Sequence, residues 1–317
     1  MTNVLILLAL PESTCTQYHD TLVEKFPELA VTSVDHHSKA GPYLPSAEVL
    51  MTFGPMVTPR VFEQAPNLKW VQSLGTGVDG IIDQPALKPG TIVTKIHGIH
   101  GAPLSEAAIT HMMALNRRLP EVVRNQASRK WEKLPLPLVE GKTVGIFGVG
   151  AIAEELAPKC KALGMKVVGI SSGTRKVPGF DEMAHRDELV QAVAGLDFLV
   201  LLTPLTDKTR GIVDAGVFKA MKPTAYLINL ARGGVVDEDA LVAALDTGEI
   251  AGAALDVFSK EPLPADHPLW AREDILITPH NAGFNNEYAT RALPAIEANM
   301  RHFLAGEFDR MINIVER

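Results

Sequence analysis

Residues 143–170, TVGIFGVGAIAEELAPKCKALGMKVVGI, decide the fold. A short apolar run at 143–147 reads as a buried strand, the stretch after Gly150 reads as a helix, and 166–170 is again strand-like. Between the first strand and the helix, Gly148, Gly150 and Ala153 fill a G-x-G-x-x-G/A pattern. The first glycine permits a tight turn, the second lets the backbone approach a pyrophosphate, and the small third residue lets the helix lie close to the strand. The helix start then offers free N–H groups and a positive partial charge to phosphate oxygens. The stretch therefore reads as the first βαβ unit of a dinucleotide-binding fold.

Working outward, strands are expected at 143–147, 166–170, 197–202, 225–230, 251–255 and 275–277, most of them separated by helical stretches. Six strands with interposed helices suffice for a complete doubly wound domain. The first hundred residues carry a second α/β series: strands at 4–10, 49–53 and 68–74, a helix at 14–26, and a glycine turn at Gly75, Thr76 and Gly77. A longer apolar helix is expected at 104–119, opening near Pro103 and Ser105 and ended by Pro120; the Pro-rich run 134–138 follows as an extended connection. The tail, 287–308, reads as helical.

The chain has 317 residues, room for two ordinary domains. With 46% hydrophobic and 21% charged residues it has the composition of a soluble globular protein. A formal net charge of −7 argues against a general nucleic-acid binder. No apolar run reaches membrane-spanning length, and the start reads as a buried strand rather than a leader, which makes the cytoplasm the expected compartment. Cys15 and Cys160 fit no metal or redox spacing and are expected as reduced thiols.

An NAD site carries an acid at the end of its second strand to hold the adenosine ribose hydroxyls. Here that strand ends Gly169-Ile170-Ser171-Ser172-Gly173-Thr174-Arg175-Lys176, with no acid before Asp181. Hydroxyls and two cations are the donors a ribose 2′-phosphate needs, so Ser171, Ser172, Arg175 and Lys176 predict NADP in preference to NAD. The plain alternative is a solvated basic loop with NAD bound less tightly.

Arg232, Glu261 and His280 each lie beyond the carboxyl end of an expected strand, where open α/β sheets bind ligands. Their types suit reduction of a 2-keto acid. Imidazole donates a proton near neutral pH, a neighbouring carboxylate favours and orients the imidazolium, and a guanidinium forks onto the substrate carboxylate. Taken singly, each has a bland reading as surface cation, loop charge or strand-end turn residue.

Seven ordered segments carry a wider resemblance: SLGTGVDGI at 73–81, SEAAITHMMAL at 105–115, GVGAIA at 148–153, LLTPLTDKTRGIV at 201–213, INLARGGVVDEDAL at 228–241, GAALDVFSKEPLP at 252–264 and TPHNAG at 278–283. In these the chain resembles the D-isomer-specific 2-hydroxy acid dehydrogenases, which include glyoxylate/hydroxypyruvate reductases, over nearly its whole length. The resemblance implies an oxidoreductase of two lobes. A flavodoxin-like substrate domain would be built from 1–100 and 286–317, and a Rossmann domain from 101–285, with a cleft closing between them. It implies a proton from His280, with Arg232 and Glu261 completing the catalytic set. Leu74, Gly75, Thr76 and Gly77, with Arg232 and His280, would bind the substrate. Gly148, Gly150, Ala151, Ile152, Thr203, Pro204 and Thr209 would line the cofactor's phosphate and adenosine path. Leu230, Ala231, Arg232, Asp256, His280 and Gly283 would flank the nicotinamide, Asp256 accepting from its carboxamide. It also implies a homodimer joined through the cofactor lobes.

The resemblance also implies that Phe53-Gly54-Pro55-Met56 border the cleft; they lack the cation a phosphorylated substrate wants, which favours glyoxylate, hydroxypyruvate or pyruvate over 3-phosphoglycerate. Phosphite, formate or a phosphorylated acid as substrate, and a non-enzymatic dinucleotide-sensing scaffold, are the competing readings. His36, His37, His97 and His100 join no metal-like cluster, so no metal is expected; His100 is a candidate for a minor substrate contact, and His111 is expected to pack on its helix.

Overall fold

The computed structural model describes residues 1–173 and 175–316. Thr174, inside the loop read above as a phosphate site, lies outside the described residues. Two compact units emerge, one from Met1–Ile99 with the chain from Asn286 onward, the other from His100–Asn285.

The first unit contains β1 (Thr2–Leu7), α1 (Glu12–Lys25), β2 (Leu29–Val34), β3 (Val49–Thr52), α2 (Pro59–Glu63), β4 (Trp70–Ser73) and β5 (Ile92–Thr94), with a helix over Tyr288–Ala305 returning from the end of the chain. All its strands pair in parallel in the order β2-β1-β3-β4-β5, the flavodoxin-like order. Strand β1 sits earlier than the sequence predicts, because Pro11 begins α1 and draws the chain off the sheet. Leu5, Leu7, Leu50, Val71 and Val93 project from four adjacent strands into one core.

The second unit contains α3 (Gly101–Asn116), α4 (Leu119–Ala127), β6 (Thr143–Phe147), α5 (Ala151–Ala162), β7 (Lys166–Ser171), β8 (Glu182–His185), α6 (Leu189–Val193), β9 (Phe198–Leu201), α7 (Ala215–Ala220), β10 (Tyr226–Asn229), α8 (Glu238–Thr247), β11 (Gly252–Leu255) and β12 (Ile275–Ile277). Its sheet is parallel, in the order β12-β11-β10-β9-β6-β7-β8. Among the described residues seven strands form it rather than the expected six. The addition is β8, a short edge strand whose sequence, EMAH, carries no apolar run. Helices on both faces bury alternate residues of the same strands: in β9, Phe198 and Val200 enter one core, Leu199 and Leu201 the other. Among the described residues no helix is long and apolar enough to cross a membrane.

The strand order reverses between β6 and β9, and such a reversal opens a crevice at the carboxyl ends of the strands. Gly148 stands at that point. Its φ of +104° lies outside the comfortable range of L side chains, and a Cβ there would fall 2.5 Å from the Thr203 nitrogen. Gly148→Ala is expected to cost about 2–4 kcal/mol, combining backbone strain with overpacking against main chain. Urea denaturation checks this; a loss below about 0.5 kcal/mol contradicts the assigned backbone contact.

Candidate active site

The turn after β6 tests directly whether a dinucleotide fits. Gly150 is the N-cap of α5, extended at φ −138°, and among the described residues no side chain caps the helix. A Cβ on Gly150 would meet no protein atom within 4 Å, so protein packing does not demand glycine there. A ligand approaching the backbone there would demand it. Ala153, fully buried, lies against the sheet one turn later, while Ala151 and Ile152 form the helix's first turn. An uncapped N-terminus on a twelve-residue helix, at the reversal of strand order, fits a pyrophosphate through main-chain N–H donors.

The loop after β7 is folded on itself. Ser171 Oγ donates to the Gly173 carbonyl at 2.6 Å and accepts from the Gly173 N–H at 3.2 Å. Arg175 reaches back to Glu154 of α5 at 3.0 Å, with the two side chains 71% and 45% exposed. Such exposed pairs are worth little, so a phosphate competes readily for the guanidinium. Ser172 and Lys176 are exposed. In the loop after β9, Thr203 is buried, and Thr209 spends its hydroxyl on the Pro204 carbonyl at 2.7 Å and the Thr206 N–H at 2.8 Å. These two threonines shape their turn from within, with Pro204 exposed at its start.

Arg232, Glu261 and His280 follow β10, β11 and β12, three neighbouring strands of one sheet. His280 Nδ1 and Glu261 Oε2 are 2.7 Å apart, and Glu261 Oε1 accepts the Phe258 N–H at 2.9 Å. Burial works to raise the Glu261 carboxyl, but the bond to His280, the Phe258 amide and the nearby charges of His280 and Arg232 outweigh it and hold the group below its ordinary value. Glu261 is therefore a carboxylate at neutral pH. With a carboxylate on Nδ1, that nitrogen carries a hydrogen, leaving Nε2 as the ring atom available to a ligand.

Two backbone features bring these groups together. Gly233, next to Arg232, lies so close to the loop after β11 that a Cβ would sit 1.9 Å from the Phe258 carbonyl carbon. Only glycine lets the two loops touch main chain to main chain. Asn229 clamps the Arg232 loop, taking the Ala231 N–H on Oδ1 at 3.1 Å and donating from Nδ2 to the Arg232 carbonyl at 3.1 Å. The Arg232 guanidinium is steadied by Nη1 on the Ala231 carbonyl at 2.7 Å. Leu230 and Ala231 are buried just below it.

His280 has the left-handed φ of +50°, uncommon for a residue with a Cβ. Asp256 holds it there. This carboxylate, 2% exposed, accepts from Thr278 Oγ1 at 2.6 Å and from the N–H groups of Asn281 and Ala282 at 3.0 and 3.1 Å; its carbonyl accepts the His280 N–H at 2.8 Å. Sequence reasoning placed Asp256 near the cofactor but did not foresee this internal role, nor that of Asn229. A polar residue at the end of a buried strand run was the available signal for both. Gly283 ends the turn with the buried His100 ring beside it.

In the first unit, Leu74 is buried and the turn Gly75, Thr76 and Gly77 follows β4. Its carbonyls are bound inward: Leu74 to the Tyr288 hydroxyl, Gly75 to the Ile96 N–H at 3.0 Å, and Gly77 to Ser73 Oγ at 2.9 Å. The Gly75 N–H also turns inward, onto Ser73 Oγ at 3.4 Å.

The family model for "D-isomer specific 2-hydroxyacid dehydrogenase, NAD binding domain" matches residues 109–282. A protein of Serratia proteamaculans named glyoxylate/hydroxypyruvate reductase A is 34% identical over 247 residues, covering 76% of this chain and 78% of that one. Among solved structures, a D-isomer specific 2-hydroxyacid dehydrogenase family protein from Aeromonas salmonicida superposes with a TM-score of 0.87 at 31% identity, covering 99% of both chains. The NADPH-dependent glyoxylate/hydroxypyruvate reductase of Sinorhizobium meliloti, solved with NADP and sulfate, gives a TM-score of 0.84 at 28% identity and covers 100% of this chain and 98% of that one.

The depressed Glu261 carboxyl makes a pH-dependent contribution to stability. Because its folded value lies below the unfolded one, the contribution is present above about pH 4.3 and is lost as pH falls through the folded value. Wild type is thus expected to exceed Glu261→Gln in stability at neutral pH, and the margin to shrink as pH falls below about 4.3. Denaturant midpoints across that range check it; a margin that widens with acid contradicts the assignment.

Proposed function

The chain belongs to the D-isomer specific 2-hydroxyacid dehydrogenase family, and we propose that it reduces a small 2-keto acid, of the size of glyoxylate or hydroxypyruvate, to the D-2-hydroxy acid with NADPH. The observation that carries the reading is the 2.7 Å contact of His280 with Glu261 within reach of the Arg232 charge, at the carboxyl ends of three adjacent strands.

The dinucleotide, when bound, supplies the hydride for the substrate C2. Gly148, Gly150 and the start of α5 hold its pyrophosphate, and Ser172, Arg175 and Lys176 bind the 2′-phosphate, with Ser171 shaping their loop. Leu230, Ala231 and the turn ending at Gly283 border the nicotinamide. Arg232 takes the substrate carboxylate as a fork and draws electron density from the carbonyl. His280 delivers the proton from Nε2 to the carbonyl oxygen, and Glu261 keeps the ring in the orientation and charge state for that transfer. The absence of an acid after β7, and the NADP bound to the Sinorhizobium meliloti relative, support the choice of NADP.

The proposed assembly is a homodimer. Helix α4 buries none of its residues; Leu119, Val122 and Val123 are exposed along it, and Trp131 and Leu138 follow at 95% and 64% exposure. An apolar surface of this kind marks an interface. The double variant Val123→Glu, Trp131→Glu is expected to sediment as a monomer where wild type sediments as a dimer; a monomeric wild type contradicts the assembly.

The activity is tested by following NADPH and NADH oxidation over glyoxylate, hydroxypyruvate, pyruvate and phenylpyruvate. His280→Asn is expected to lower kcat by about 10²–10⁴-fold while the Kd for NADPH stays within about threefold. Arg232→Ala should raise KM and lower kcat together. Unchanged kcat in His280→Asn removes the imidazole from the reaction, and a wild type that favours NADH rejects the reading of the loop after β7.

A further inference from the structure

The edge strand β8, absent from the sequence-based expectation, sets a histidine against the loop that discriminates the dinucleotides. β8 pairs in parallel with β7, and the register places His185 opposite Ser171. From there the ring reaches the next residue of the loop: Nε2 lies 3.0 Å from the Ser172 carbonyl oxygen. A carbonyl only accepts, so Nε2 carries the hydrogen, and Nδ1 is left bare to accept the Asp187 N–H at 3.3 Å. The Asp187 carboxylate also lies 3.4 Å from Nδ1, so the ring is held on both sides.

The bond to Ser172 does more than fill an acceptor. The peptide linking Ser172 to Gly173 is planar, so holding its carbonyl toward β8 fixes the direction of the Gly173 N–H on the opposite side. That N–H meets Ser171 Oγ at 3.2 Å, and Ser171 Oγ in turn donates to the Gly173 carbonyl at 2.6 Å. These bonds close Ser171, Ser172 and Gly173 into one turn whose shape is set from outside by the imidazole. The exposed Ser172, Arg175 and Lys176 hang from it.

We propose that His185 is a positioning residue for cofactor discrimination: its hydrogen bond to the Ser172 carbonyl holds the loop after β7 in the form that receives the ribose 2′-phosphate. The inference rests on the NADPH reading given above. Without the ring, water satisfies the exposed Ser172 carbonyl, so the fold loses little. The ordering cost of the loop then falls on ligand binding. NADH has no 2′-phosphate to engage the loop and escapes that cost. The effect therefore belongs to the ratio of affinities rather than to the chemical step.

The test uses wild type, His185→Ala and His185→Gln, whose side-chain amide nitrogen takes the place of Nε2. Calorimetric titration with 2′,5′-ADP and with 5′-AMP reads the contribution of the 2′-phosphate without catalysis, and steady-state kinetics with NADPH and NADH read it in turnover. His185→Ala is expected to narrow the preference for 2′,5′-ADP over 5′-AMP by about five- to tenfold, the worth of one such hydrogen bond. The KM for NADPH should rise correspondingly, with kcat moving less than about twofold. His185→Gln should restore the preference to within about twofold. A wild-type preference that His185→Ala leaves intact overturns this inference alone and leaves the NADPH reading standing. A wild type that binds the two nucleotides equally overturns that reading and this inference with it.

Discussion

A buried carboxylate holds the turn on which the site depends. Asp256 takes hydrogen bonds from Thr278, Asn281 and Ala282, and its carbonyl takes the His280 N–H. Together they keep His280 in a left-handed backbone conformation that costs roughly 1–2 kcal/mol for a residue with a Cβ. Relaxation of that turn would re-aim the imidazole and break its 2.7 Å contact with Glu261. The strain is local, and the surrounding bonds over-determine it, as expected where backbone conformation serves a site.

The rest of the arrangement comes from parallel strands delivering their carboxyl ends to one edge of the sheet. Three adjacent strands supply Arg232, Glu261 and His280, and the reversal of strand order supplies the Gly148–Gly150 turn. Loops from neighbouring strands must approach more closely than side chains allow, which glycine resolves at Gly148 against Thr203 and at Gly233 against Phe258. Backbone contact at these two points sets distances that flexible side chains alone would leave loose.

Much of this was legible in the sequence because strong signals and simple periodicities coincide there. Strands β6 and β12 fall at the predicted residues, being apolar runs between clear turn signals. Strand β8 was missed because an edge strand of partly exposed residues needs no apolar pattern. Helix α4 was missed because Pro120 reads as a stop; it lies instead in the first turn of a new helix, where its missing N–H costs nothing, after Arg118 breaks the chain at φ +51°. The Arg232, Glu261 and His280 set was readable as residue types following strands. The hydrogen bonds of Asp256 to the turn after β12 and of His185 to Ser172 were not, because each reaches main chain far along the sequence, which no local spacing reveals; Asn229 bonds main chain only two and three residues on, and its one signal was its place at the end of a buried strand.

The central claim is that Arg232 and the His280–Glu261 pair act on one substrate molecule. A crystal structure with NADP and oxamate, an isostere of pyruvate, tests it most directly. The account predicts the oxamate carboxylate on the Arg232 guanidinium and its amide oxygen about 2.6–3.2 Å from His280 Nε2, with Nδ1 still on Glu261. Oxamate bound away from Arg232, or an imidazole turned off Glu261 in the complex, would contradict it.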